Sequence, residues 1–82
     1  MKNKIENFIF NSKHYNITSL DSKEDGDGTT NNITLYNSSN GSFEVSYDRV
    51  MNNQPLTHKS FKELQSVADI LNAYRVLKNI YM

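Results

Sequence analysis

"NNITLYNSSNGSFEVSYD", residues 31–48, sets the architecture of this chain. Two runs rich in β-branched and aromatic residues flank the turn-forming "SSNG", which reads as an antiparallel hairpin. Its register follows from burial. If Asn40 and Gly41 formed a two-residue turn, Leu35 would sit opposite Ser46. Ile33 and Leu35 would then face away from Phe43, Val45 and Tyr47. A three-residue loop over 39–41, with Gly41 at positive φ, instead pairs Leu35 with Val45 and Ile33 with Tyr47. All five apolar side chains then share one face. A one-residue slip inverts a strand, so burial selects this second register. The other face carries Thr34, Tyr36, Glu44, Ser46 and Asp48 and is polar.

Upstream, Tyr15 and Ile17 alternate with His14, Asn16 and Thr18 in "KHYNITSL", the pattern of a half-buried strand. With "ENFIF" before it, "NS" reads as a tight turn. Residues 2–10 also fit a helix, because "NKIENFI" lacks alternation before Phe8. Downstream, "MNNQPLTH" reads as a connection and residues 60–81 as a helix. Ser60 with Glu63 three positions on is a capping box. Phe61, Leu64, Val67, Ala68, Leu71 and Tyr74 recur at helical spacing, and Ile70, Leu77 and Tyr81 widen the stripe. Arg75 and Lys78 suit the negative end of the helix dipole. The expectation is one α+β domain over 1–82: a sheet half at 5–50, a connection at 51–59 and a helix at 60–81. The sheet would have three or four antiparallel strands packed on the helix.

The chain has 82 residues, no cysteine, and nine basic against nine acidic side chains. So short a chain buries only about 60–65% of its unfolded surface. Neither disulfides nor Cys-based zinc can reinforce it. Zero net charge argues against binding nucleic acid mainly by charge. The apolar run at the N-terminus is broken by Glu6 and Asn7, so no secretory signal is expected, and no stretch reads as a membrane span. These features fit a cytoplasmic location.

"DSKEDGDGTTNN", residues 21–32, is the most hydrophilic stretch. A calcium loop needs oxygen ligands at its positions 1, 3, 5 and 12 and glycine at 6. With Gly26 at 6, Lys23 falls at 3 and Asn32 at 12. With Gly28 at 6, Lys23 falls at 1. Both registers fail, so no metal is expected. The stretch reads as a solvated connection, or as an acidic loop offered to a basic partner. Catalysis is not expected either. No Cys nucleophile or glycine-rich phosphate loop exists. A Ser60–His58–Asp48 set can be drawn, but with nine serines such sets arise by chance. No cofactor is expected.

The order of the pieces is a lysine-bearing start, "KHYNITSL", a hydrophilic insert, the hairpin "ITLYNSSNGSFEVS" and a C-terminal helix. This resembles small phage-encoded inhibitors, including some anti-CRISPR proteins that block RNA-guided nucleases. The resemblance lies in lengths and turns and carries no residue motif across. It implies a non-catalytic inhibitor or adaptor that offers acidic loops to the basic cleft of a nucleic-acid-handling enzyme. The contact residues would be Asp21, Glu24, Asp25 and Asp27, with Tyr36, Glu44 and Asp48 from the polar sheet face. The neutral charge departs from strongly acidic members and counts against plain DNA mimicry. Two other readings are a self-associating subunit and a nucleic-acid-binding module. For self-association, Val76 and Ile80 form an apolar ridge bordered by Ala73 and Tyr81, the expected homodimer interface.

Overall fold

A computed structural model describes residues 17–37 and 41–82. The described chain runs β1 (Ile17–Glu24), β2 (Thr30–Asn37), β3 (Phe43–Met51), β4 (Gln54–Leu64) and α1 (Val67–Tyr81). The four strands form an antiparallel sheet in the order β1-β2-β3-β4, with α1 packed on one face. This is the expected α+β layout. The readings of residues 2–10 and of the "NS" turn lie outside the described residues.

The β2–β3 register is the one that burial selects. Ile33 pairs with Tyr47 and Leu35 with Val45, and Gly41 has φ +86°. All four of these side chains are buried, and Phe43 is half-buried beside them. The β1–β2 connection is built in the same way. Asp25 N–H donates to Thr29 O at 2.9 Å, and Gly28, at φ +88°, closes the turn by donating to Asp25 O at 3.2 Å. The hydrophilic stretch is therefore not one loop: residues 21–24 belong to β1, and the turn itself is short. A bulge between Ser19 and Asp21 lets Leu20 pack against the core and turns Asp21 towards α1.

Residues 51–64 depart from the sequence reading. The expected connection over 51–59 is a β-turn followed by a strand. Asn52 and Asn53 both have positive φ, 50° and 64°, between the paired residues Met51 and Gln54. That is the two-residue turn whose twist matches a hairpin, and asparagine tolerates its left-handed geometry. The expected first helical turn at 60–64 is the end of β4. Ser60 and Glu63 form no cap, and Glu63 adopts φ +59° where β4 bulges against β3. The helix starts later, at Val67. Its cap is Ser66, whose hydroxyl accepts from Asp69 N–H at 3.1 Å. The serine half of the chemistry expected at Ser60 operates six residues on, at a Ser-x-x-Asp.

Ile70, Leu71, Ala73 and Leu77 press on Ile33, Leu35, Val45 and Tyr47 to make the core. Each large aliphatic side chain buried there contributes about 1.5–3 kcal/mol. Tyr81 stacks on Tyr47 with ring centroids 4.5 Å apart and planes 11° from parallel. Two residues expected on an exposed ridge are thus inside the fold: Ala73 is buried, and Tyr81 is half-buried against Tyr47. The cause is the helix start. Counting Phe61, Leu64 and Ala68 in the stripe rotates the inferred buried face away from Ala73. Once Phe61 and Leu64 belong to β4, Ala73 falls in line with Ile70 and Leu77. No described helix is long and apolar enough to cross a membrane.

Candidate binding surfaces

The expected contact residues do not share one surface. Residues directly opposite across an antiparallel ladder lie on the same face. Asp21 pairs with the core residue Ile33, so it looks towards α1. Tyr36 pairs with Glu44, and Asp48 lies two residues beyond Ser46, so these three occupy the opposite face. The sheet divides the set.

The acidic turn is tied down from within. Asp25 Oδ2 accepts from Asn31 Nδ2 at 2.7 Å and from Thr29 Oγ1 at 3.3 Å. Asp27 Oδ1 accepts from Thr29 N–H at 3.0 Å and from Thr29 Oγ1 at 2.6 Å. Its other oxygen accepts from Arg49 Nη2 at 2.9 Å. Thr29 and Asn31 are buried because they continue the inward row of Ile33 and Leu35. Asn31 also accepts a hydrogen bond from the buried Tyr47 hydroxyl. A buried phenol without a partner is costly. Asn31 Oδ1 meets that need, and the Asn31 amide, donating to Asp25, joins the core to the turn. Thr29 and Arg49 together hold the Asp27 carboxyl below the usual carboxylate range, the Thr29 hydrogen bonds being the largest cause.

Asp21 belongs to a second internal cluster. Its Oδ2 accepts from Tyr74 hydroxyl at 2.9 Å and from Lys78 Nζ at 3.2 Å. Lys78 Nζ also reaches the Tyr74 oxygen at 3.3 Å. Burial pushes the Asp21 carboxyl up, but these hydrogen bonds and the Lys78 charge outweigh it and hold the group below its ordinary value. The Tyr74 and Asp21 contacts push the Lys78 ammonium up. The cluster fastens β1 to α1. Of the four expected acids, only Glu24 stands exposed without a contact inside the described chain. It borders an open depression of about 230 Å³ lined also by Asp25, Gly28, Thr29 and Thr30.

The face turned away from α1 is polar, as its sequence requires. A row of hydroxyl residues, Ser19, Thr34, Ser46 and Ser60, crosses all four strands in register. Ser46 is buried and donates to Glu44 Oε2 at 3.0 Å. Asp48 faces His58 across the β3–β4 ladder, with Oδ1 2.5 Å from Nδ1. The Ser60–His58–Asp48 set thus has its histidine–carboxylate contact, but Ser60 makes no hydrogen bond to His58, and His58 is open to solvent.

The surface that sequence reasoning missed is β4. Most of its residues are exposed, including Leu56, Phe61, Lys59 and Lys62. Its available signal was "NN" at 52–53 as a hairpin turn. No protein-family model matches the chain, and no curated protein or solved structure is similar to it.

Proposed function

We propose that the protein is a non-catalytic binding protein, an inhibitor or adaptor that acts by engaging another protein. One observation carries this reading. Among the described residues β4 is an edge strand that exposes Leu56, part of Phe61 and two lysines that meet no carboxylate. Exposed apolar groups rimmed by charge are a feature of interaction surfaces. The resemblance of the sequence layout to small phage-encoded inhibitors extends the reading to a mobile-element protein, anti-CRISPR-like, acting on a nucleic-acid-handling enzyme. Because the acids at 21, 25 and 27 are engaged inside the fold, the contact surface proposed is β4 rather than the acidic turn. Co-purification from a bacterial lysate tests the reading. A stoichiometric nuclease or polymerase supports it, whereas salt-dependent binding to DNA or RNA alone replaces it with a nucleic-acid-binding module.

Self-association is a second reading, favoured by Ile80, which is 65% exposed on α1. With Ala73 and Tyr81 drawn into the monomer, the ridge is reduced to Ile80 and the half-buried Val76. Stable interfaces bury roughly 800 Å² per partner, far more than two side chains supply. Sedimentation of wild type and Ile80→Lys tests it. A monomer at high concentration removes this reading.

A further inference from the structure

We infer that β4 is a docking edge for an extended acidic segment of the partner protein, which adds to the sheet as a further strand. This rests on the protein-binding reading and names the partner's chemistry. Among the described residues β4 pairs with β3 only, and the backbone groups of its outer side meet no other described strand. Such an edge is a template for another strand. Its ends are blocked. Pro55 lacks an N–H, Leu56 is displaced in one bulge, and Glu63 adopts left-handed geometry in another. Between them residues 57–61 pair without interruption, from Thr57 opposite Arg49 to Phe61 opposite Val45. The blocks suppress long, unspecific pairing and leave a short window.

The side chains around the window specify the ligand. Lys59 and Lys62 are exposed and meet no carboxylate among the described residues, whereas Lys23, Arg49 and Lys78 each do. Phe61 is 39% exposed on the side of the sheet that bears α1. The Tyr74–Lys78 flank of α1 turns to β1 through Asp21, so Ile80, on the opposite flank, borders the β4 side. Lys59 pairs with Tyr47 and so shares the α1 face with Phe61, whereas Lys62, the next residue after Phe61, points to the other face. An incoming strand with acids beside Lys59 and Lys62 and an apolar side chain over Phe61, in the order acid, any residue, apolar, acid, complements this edge. Single-stranded nucleic acid could use the same lysines and ring. A peptide is favoured because it alone uses the backbone edge, and because the chain as a whole carries no net positive charge.

The test uses the full chain and three labelled probes: a Glu–Val peptide repeating Glu-Thr-Val, its Lys–Val counterpart repeating Lys-Thr-Val and an oligothymidylate. Binding is read by fluorescence anisotropy and by amide shifts and exchange in NMR. The Glu–Val peptide is expected to bind, to shift amides within 57–61 and to slow exchange of those facing outward. Lys59→Glu/Lys62→Glu, both at exposed positions, should keep the fold and weaken that binding roughly tenfold. Equal binding of the Lys–Val peptide, shifts confined to other elements, or tighter binding of oligothymidylate overturns the inference. Lysate capture with wild type and the double variant separates the two readings. A partner held equally by both removes β4 as the docking edge but leaves the protein-binding reading. No partner for either removes both.

Discussion

At Gly41 the backbone asks for a conformation that side chains resist. Its φ of +86° closes the β2–β3 hairpin, and a Cβ placed there would meet nothing within 4 Å. The cost of a substitution is therefore backbone strain and not a clash. Gly41→Val is expected to destabilise the fold by about 1–2 kcal/mol or more, since β-branched residues avoid positive φ. A neutral thermal melt would argue against the three-residue loop. Asp21 is the other residue whose surroundings prescribe a measurable effect. Its carboxyl is held below the unfolded value by Tyr74 and Lys78 despite partial burial. A depressed folded pKa contributes stability that is complete above the unfolded pKa, about 3.9, and fades as pH falls through the folded one. Asp21→Asn should thus be less stable than wild type near neutrality. The gap should narrow below about pH 4 in denaturant titrations. A gap independent of pH would mean that the charge of Asp21 plays no part.

Elements here take their limits from partners as much as from their own pattern. The helix begins at Val67 because Ser66 caps it and because Ser60, Phe61 and Leu64 are already paired to β3. Ser66→Ala should therefore cost roughly 1 kcal/mol, the usual worth of such a cap. Ser60→Ala should leave helix stability nearly unchanged, since Ser60 lies in a strand. Helicity and melting temperature measured on both variants check this. The reverse ranking would return the helix start to Ser60. The hairpin between β3 and β4 shows the same dependence. Its asparagines supply the left-handed turn, but the strand that follows has little inward apolar surface and relies on the β3 ladder.

For the whole molecule, the core of the described residues lies between α1 and one face of the sheet, and it is extended sideways by polar links. Tyr47 lies where these meet: buried, stacked on Tyr81 and donating to Asn31, which reaches Asp25. Burial pushes the Tyr47 phenol up, and hydrogen bonds to Tyr74 and Asp21 push the Lys78 ammonium up. Both folded pKa values lie above their unfolded ones, so the unfolded state releases these protons first. Their contribution is complete below about pH 10 and is lost as pH rises through the folded values. The protein should accordingly lose stability above about pH 10, and Tyr47→Phe/Lys78→Met should flatten that alkaline limb while lowering stability at neutrality. An unchanged limb in the double variant would place the alkaline transition elsewhere.

The central hairpin and the presence of a C-terminal helix are legible in the residues alone. The former is a local problem: alternation and a glycine at positive φ leave one register that buries Ile33, Leu35, Val45 and Tyr47 together. The latter follows from apolar spacing that continues through Leu77 and Tyr81. The fourth strand, the helix start and the roles of the acids are not legible in that way. β4 is mostly exposed and is an edge among the described strands, so its residues show no clean alternation, and its strand state comes from backbone pairing with β3. The acids at 21, 25 and 27 look alike in sequence as solvated charges. Asp21 meets Tyr74 across a separation of 53 residues, and Asp27 meets Arg49 across 22. Composition records that these groups exist. Only the folded sheet brings their partners within hydrogen-bonding distance, and that proximity converts a hydrophilic stretch into part of the scaffold.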